Sequence, residues 1–291
     1  MAGISASSVM ELRKMSGQGM MECKKALQGS SGDIKGAMEI LRKKGLATLA
    51  KRAGRVTSEG VVLAKNCPDG NVTVMVSLCC ETDFVARSEA FLATADTLAD
   101  YAIACPEFEG IDNLLKVEID GKKFDEVLNK LISQTGEKIE IGDYQKYRVA
   151  PTDPTKLTCK YIHFNKKVGV MVMIETNDPK VAAAEGLKQA GTEVAMHIAA
   201  TNPLALDKDG IDPEIIEQEK VIIAEQVKDK PENIIDKIVE GKMRRFFAEN
   251  CLLQQPFVKD DSKTIAEVIA QAGKEAAGQA KIKQFVRFTV G

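Results

Sequence analysis

Residues 60–84, GVVLAKNCPDGNVTVMVSLCCETDF, and residues 157–178, LTCKYIHFNKKVGVMVMIETND, carry one pattern twice. In each copy, two alternating apolar runs flank a turn, at residues 68–70 in the first and 165–167 in the second. Each copy then runs through Glu-Thr into a helical pattern, over 90–103 and 181–200. Alternation with a period of two around turn residues predicts a β-hairpin. The chain is therefore expected to contain two hairpins, each followed by a helix.

The two copies also end with similar sequences. EVLNKLISQTGEKIEIGDYQKYRV (126–149) is similar to EVIAQAGKEAAGQAKIKQFVRFTV (267–290), and both predict a helix followed by a β-branched strand. Self-similarity of this kind indicates repeated supersecondary units. The fold class is therefore predicted to be α+β, with two duplicated core subdomains at 56–150 and 151–291.

Residues 1–55 predict a small, basic helical head. Apolar residues recur every three or four positions in three segments, separated by Ser16-Gly17 and by GSSG at 29–32. Ser5 or Ser7 is expected to cap the first helix and Asp33 the third, and the basic stretch from Leu46 to Arg55 is expected to be an exposed linker. The head holds eleven Lys or Arg against four Asp or Glu, which favours a negatively charged partner surface. The predicted apolar positions are Val9, Leu12 and Met15, then Met20, Cys23, Ala26 and Leu27, then Ile34, Ala37, Met38 and Leu41.

The second copy contains an insertion at about 211–250. Asp212-Pro213 starts one helical pattern, residues 228–231 form a turn, and a second helical pattern follows. Two such helices can cover each other as an antiparallel coiled coil that projects about 25 Å, or can fold back on the core. The expected apolar stripes are Ile215, Ile216, Ile222, Ile223 and Val227 on the first helix, and Ile234, Ile235, Ile238, Val239, Phe246 and Phe247 on the second.

The sequence offers little catalytic chemistry. It has seven cysteines without a CxxC pair and only two histidines, and it lacks the GxxxxGK[ST] phosphate-binding motif. We therefore expect no enzyme activity, no metal or cofactor, and no direct nucleotide binding. Reduced cysteines used in packing, no long apolar run and no targeting signal favour a cytoplasmic protein that spans no membrane.

Four segments resemble the elongation factor Ts family. They are VMELRKMSGQGMMECKKAL (9–27) with GDIKGAMEILRKKG (32–45), AKRAGRVTSEG (50–60), ETDFVARSEAF (81–91), and VAMHIAATNP (194–203) with IVEGKMRRFFAENCLLQQPFVKDDSKTI (238–265). The resemblance implies a UBA-like (ubiquitin-associated-domain-like) three-helix head, a two-part core and a coiled-coil hairpin. It also implies guanine-nucleotide exchange on elongation factor Tu, both GDP-bound and nucleotide-free, in translation.

The resemblance assigns roles to particular residues. Leu12, Met20 and Met21 would dock on the nucleotide-binding domain of elongation factor Tu. Thr82, Asp83, Phe84 and Val85 would form a wedge near its magnesium and P-loop site, and His163 and the helix of His197 would face its third domain. The residues alone leave other roles open: Leu12 and Phe84 as core, Asp83 as a helix N-cap, and each histidine as a packed side chain.

Other partners stay open at this stage. The resemblance allows a homodimer through the hairpin, and the basic head allows RNA binding, although residues 1–55 contain no aromatic side chain for base stacking. A head that binds ubiquitin-like modules rests on fold analogy alone.

Relatives often continue into a C-terminal helical module, so a natural end at Gly291 would make binding depend more on the head and core.

Overall fold

The computed structural model describes residues 4–52, 54–227 and 232–291. Three helices open the chain: α1 Ala6–Ser16, α2 Met20–Gly29 and α3 Ile34–Arg52. Ser5 caps α1 by accepting a hydrogen bond from the Ser8 N–H at 3.0 Å, and Asp33 accepts from the Gly36 N–H at 2.8 Å before α3. The helices share a core made of Val9, Leu12, Cys23, Ala26, Leu27, Ala37 and Leu41.

The predicted linker after the head is wrong over residues 46–52. These residues continue α3 to Arg52, because Leu, Ala, Lys and Arg are good helix formers and no proline interrupts them. The predicted apolar faces are also too wide, since Met15 and Met20 are exposed rather than packed in the head.

The first copy of the repeat begins with strands β1 Glu59–Asn66 and β2 Val72–Cys80, which pair antiparallel. Gly70 adopts a left-handed φ of 73° in the connecting turn, as a glycine at that position readily does. The copy continues with α4 Asp83–Ala86, α5 Glu89–Ala104, α6 Ile111–Leu114, the short β3 Glu118–Ile119 and β4 Lys122–Lys123, α7 Phe124–Thr135 and β5 Ile139–Arg148. Its sheet has the order β1-β2-β5.

The second copy has the same plan. Strands β6 Lys156–Ile162 and β7 Val168–Thr176 form its hairpin, and helices α8 Pro179–Ala183 and α9 Glu185–Thr201 follow. After the insertion, the copy closes with α12 Ile265–Glu275 and β10 Ala280–Thr289. The sheet order, β6-β7-β10, matches that of the first copy, so the mixed helix-and-strand class and the repeated elements predicted from the sequence are confirmed.

The single helix predicted over 181–200 is wrong, because two helices occupy it. Ala184 is extended, with φ −64° and ψ 129°, and separates α8 from α9. The first copy breaks at the corresponding place, where Ser88 is extended and caps α5 by accepting from the Phe91 N–H at 3.3 Å. An extended residue between two helices is a feature of both copies.

The insertion contains helices α10 Pro213–Gln226 and α11 Glu232–Asn250, which pack against each other. Ile223 and Val227 of the predicted stripe are buried, whereas Ile215 and Ile222 are exposed, contrary to expectation. The predicted turn at 228–231 lies outside the described residues. The insertion is followed by an unpredicted small hairpin of β8 Pro256–Phe257 and β9 Asp260–Thr264.

The chain divides into two units with separate apolar cores. The first unit holds the described residues up to Lys146, with Phe164–Val168 and Phe288–Gly291, and its core surrounds Phe91 and Phe124. The second holds Tyr147–His163 and Gly169–Arg287, with its core around Leu187 and Ile265. Among the described residues, no helix combines the length and apolar character needed to cross a bilayer.

Candidate functional site

Phe84 is an apolar side chain of the first unit that projects into solvent. It is 83% exposed and occupies the second position of α4, directly after the buried strand β2. The helix N-cap is Thr82, whose hydroxyl accepts from the Val85 N–H at 3.4 Å, so the alternative role of Asp83 as the cap is wrong. Asp83 instead lies in the first turn, where its carboxylate pairs with Arg87 at 3.2 Å. The alternative role of Phe84 as a core residue is wrong as well.

The short helix that carries Phe84 is anchored on both sides. Ala86 is buried and Val85 packs against the core of the first unit. The Ser88 hydroxyl donates to the Val85 carbonyl at 2.8 Å, which ties the end of α4 to the cap of α5. Because its neighbours are fixed, Phe84 projects from a rigid base.

Glu137 binds the backbone that leads into this short helix. Its carboxylate accepts from the Glu81 N–H at 3.1 Å, the Thr82 N–H at 3.0 Å and the Thr82 hydroxyl at 2.6 Å. In the opposite direction, Glu81 accepts from the Lys138 N–H at 2.6 Å and pairs with Arg55 at 2.8 Å. Charge-assisted bonds to backbone N–H groups are among the stronger hydrogen bonds in proteins. The junction between β2 and α4 is thus held to the start of β5 in both directions.

Several methionine side chains of the head are exposed. Met20 and Met21, at the first turn of α2, are 51% and 63% exposed, and Met10 and Met15 on α1 are also exposed. Flexible thioether side chains suit an adaptable apolar contact surface. Leu12 is 0% exposed and fills the centre of the three-helix core, which is the alternative role that the residues alone left open, so its part in docking stays a prediction.

The two histidines differ in burial. His163 is half-buried just after β6, and its Nδ1 lies 2.9 Å from the Tyr161 hydroxyl. His197 is fully buried in α9, which is the packed role that the residues alone left open, and the contact of its helix with a partner stays a prediction. Its Nε2 lies 2.8 Å from the Gln255 Oε1, and its Nδ1 accepts from the Val258 N–H at 3.3 Å. Burial lowers the pKa of His197, against the opposing effect of the Gln255 hydrogen bond.

The thiols of this region are poorly suited to nucleophilic chemistry. Burial, with Glu140 nearby, raises the pKa of Cys79 to about 11, and burial raises that of Cys80 to about 12. Within the described part of the chain, no cluster of three or more His, Cys, Asp or Glu is placed to hold a metal ion. Exposed apolar side chains such as Phe84 and Met21 are instead of the kind found where proteins contact one another.

Two residues of interest were missed at the sequence level. Glu137 could have been found by aligning the two copies, because the first has Glu137 where the second has Gly278. Phe164 is 87% exposed in the turn between β6 and β7, and an aromatic residue at a hairpin turn is its sequence signal.

The family model described as Elongation factor TS matches residues 81–291. The curated protein named Elongation factor Ts from a Nitratiruptor species is 43% identical over 290 residues, covering 99% of this chain and 93% of that protein. Its namesakes from Alkalilimnicola ehrlichii and Desulfovibrio desulfuricans are 39% and 36% identical, each covering 99% of this chain and respectively 92% and 98% of their own length. On this agreement between a family model and nearly full-length relatives, the chain belongs to the elongation factor Ts family.

Proposed function

We propose that this chain is a guanine-nucleotide exchange factor that binds elongation factor Tu–GDP and promotes release of the GDP. Family membership supports the broader role of a translation elongation factor. The observation that carries the finer proposal is Phe84, an exposed aromatic side chain on a rigid strand–turn–helix base.

The wedge would act by displacement. Phe84, with Asp83 beside it and Thr82 and Val85 beneath it, would insert near the magnesium and P-loop site of the partner. A nucleotide held by magnesium and P-loop contacts loses affinity when those groups are displaced. Each ~1.4 kcal/mol of lost contact gives a roughly tenfold faster release at an unchanged association rate. By linkage, bound nucleotide lowers the affinity of the exchange factor for elongation factor Tu by the same factor, so exchange can proceed in both directions.

Other surfaces would supply affinity. Met20 and Met21 would dock the UBA-like head on the nucleotide-binding domain, and His163 would face the third domain. Leu12 and His197, both buried, would support these surfaces from inside the protein. The same proposal includes a division of the chain into 1–55, 56–150 and 151–291, and a coiled-coil hairpin that allows a homodimer. It also includes a cytoplasmic location, and it assigns to the protein no chemical reaction on the nucleotide.

The test is stopped-flow release of a fluorescent GDP analogue from elongation factor Tu, with and without stoichiometric amounts of this protein. We expect acceleration by at least about 100-fold, because a loss of ~3 kcal/mol in nucleotide contacts suffices for it. A folded protein that leaves the release rate unchanged would refute the proposal. The same sample would then be titrated with RNA, whose binding should weaken steeply with salt.

A further inference from the structure

The three hydrogen bonds to Glu137 act on the two residues that precede α4. A four-residue helix such as α4 has almost no stability of its own, because nucleation is costly and few bonds repay it. The direction in which Phe84 points is therefore set by the backbone at Glu81 and Thr82. Glu137 accepts both of their N–H groups on one carboxylate oxygen and the Thr82 hydroxyl on the other.

The second copy of the repeat shows what the fold requires without this carboxylate. Asn177-Asp178-Pro179-Lys180 occupies the place of Glu81-Thr82-Asp83-Phe84, because Asn177 follows β7 as Glu81 follows β2 and Asp178 caps α8 as Thr82 caps α4. Gly278 corresponds to Glu137. A Cβ at Gly278 would lie 2.4 Å from the Val181 Cγ2 and 2.6 Å from the Asn177 Oδ1, so there is no room for a side chain.

The second junction closes by a different contact. The Asn177 Oδ1 accepts from the Gln279 N–H at 2.7 Å, and the Asn177 N–H donates to the Gln279 carbonyl at 3.2 Å. At the position of Phe84 this copy has Lys180, whose N–H donates at 2.7 Å to Asp178, the cap of α8. In the second copy the strand-to-helix junction thus forms with Gly278 in place of Glu137, and no aromatic side chain projects from it. The Glu137 carboxylate is present only in the copy that carries the projecting Phe84.

We propose that Glu137 is a positioning residue for exchange, which orders the Glu81–Thr82 backbone so that Phe84 is held in its projecting orientation before the partner is met. This inference rests on the proposed exchange function. Without Glu137, the junction can take other orientations, and binding energy must be used to order Phe84 at the moment of insertion.

The first test separates insertion from docking. For Glu137→Ala, we expect the maximal GDP-release rate at saturating exchange factor to fall roughly 10-fold, since hydrogen bonds to a charged group are lost. The half-saturating concentration should change less than about 2-fold, because docking through Met20 and Met21 is separate. Glu137→Gln keeps an acceptor for the two N–H groups and should fall in between. A Glu137→Ala protein with a normal maximal rate would overturn the proposal.

A double-mutant cycle distinguishes positioning from general support of the fold. On a Phe84→Ala background, Glu137→Ala should change the release rate by less than about 2-fold, because its effect passes through Phe84. Equal effects on both backgrounds would mean that Glu137 acts independently of the aromatic, and would refute the inference. Glu140→Ala is the matched control, since this carboxylate bonds Thr57 and Lys138 rather than the backbone of the junction.

A measurement on the protein alone keeps this inference distinct from the exchange function. The amide of Phe84, followed by ¹⁵N relaxation, should become more mobile in Glu137→Ala than in the wild type or in Glu140→Ala. Unchanged mobility would overturn the positioning role whatever the exchange assay gives. Raised mobility in a protein that fails to accelerate GDP release would leave the positioning role standing and reject only the exchange function.

Discussion

Phe84 keeps a large apolar surface in water, where most phenylalanine side chains are buried. It contributes little to the packing of the first unit, whose core is filled by residues such as Phe91 and Phe124. Its surroundings fix its direction without covering it. At the scale of single residues, a side chain of this kind is expected to matter to a partner and hardly at all to folding.

Phe84→Ala should therefore leave the fold intact and slow exchange. Removal of an aromatic anchor from an interface costs ~2 kcal/mol or more, which corresponds to a loss of roughly 30-fold in accelerated GDP release. Stopped-flow release gives the rate, and thermal unfolding gives the stability. Phe108→Ala, at another exposed aromatic of the first unit, is the control and should keep the rate. Normal release by Phe84→Ala would remove the wedge from the mechanism.

Leu12 and Met21 should show opposite behaviour although both lie in the head. Leu12→Ala should destabilise the three-helix core by ~2–5 kcal/mol, because it leaves a cavity at a fully buried position. Met21→Ala should keep the stability of the head and raise the Kd for elongation factor Tu, because its side chain is mostly exposed. Hydrogen exchange of the α1–α3 amides and calorimetric titration measure the two effects. An unchanged exchange pattern in Leu12→Ala would contradict its burial.

At the scale of elements, the buried network around His197 predicts a pH dependence of stability in the second unit. Both ring nitrogens are engaged when the imidazole is neutral, and the Gln255 Oε1 also accepts from the Thr201 hydroxyl at 3.0 Å. Because burial lowers the folded-state pKa below the ordinary value of 6.5, the unfolded chain binds the proton more readily. The stabilisation is complete above that value and is lost as the pH falls towards the lowered pKa.

Urea unfolding at about pH 8 and about pH 5 measures this loss. The decrease in the free energy of unfolding should be smaller in His197→Gln than in the wild type. Thr201→Val removes a hydrogen bond from the same network but keeps the histidine, so it should retain the full decrease. Equal decreases in wild type and His197→Gln would show that other groups carry the pH dependence.

How much was predictable also differs between elements. The paired strands and the helices that follow them were predicted, because alternation and turn residues are local signals. The break at Ala184 was not, since an extended alanine between two helices has no distinctive composition. Glu137 was missed because its bonds join residues about 55 positions apart. Leu12 was placed on the docking surface by resemblance, although the helical stripe equally favoured the core where it lies.

At the scale of the whole molecule, the insertion offers a route to self-association. Ile215 and Ile222 are exposed on α10, and because they are seven residues apart they share a helix face. If the hairpin pairs two copies, Ile222→Lys should shift the protein to monomers in sedimentation equilibrium, because a charge would be buried in the contact. Ala224→Lys, about 200° around the helix, is the control and should leave the mass unchanged. A wild type that is monomeric at high concentration would exclude this use of the hairpin.

The crowding at Gly278 also bears on how the two copies diverged. A glutamate there would strike Val181 and Asn177, so the second copy cannot acquire the Glu137 arrangement by one substitution. A substitution at Gly278 towards the Glu137 arrangement therefore lowers stability before it offers any function. The second copy therefore resists gaining a carboxylate like that of Glu137 by a point mutation at Gly278.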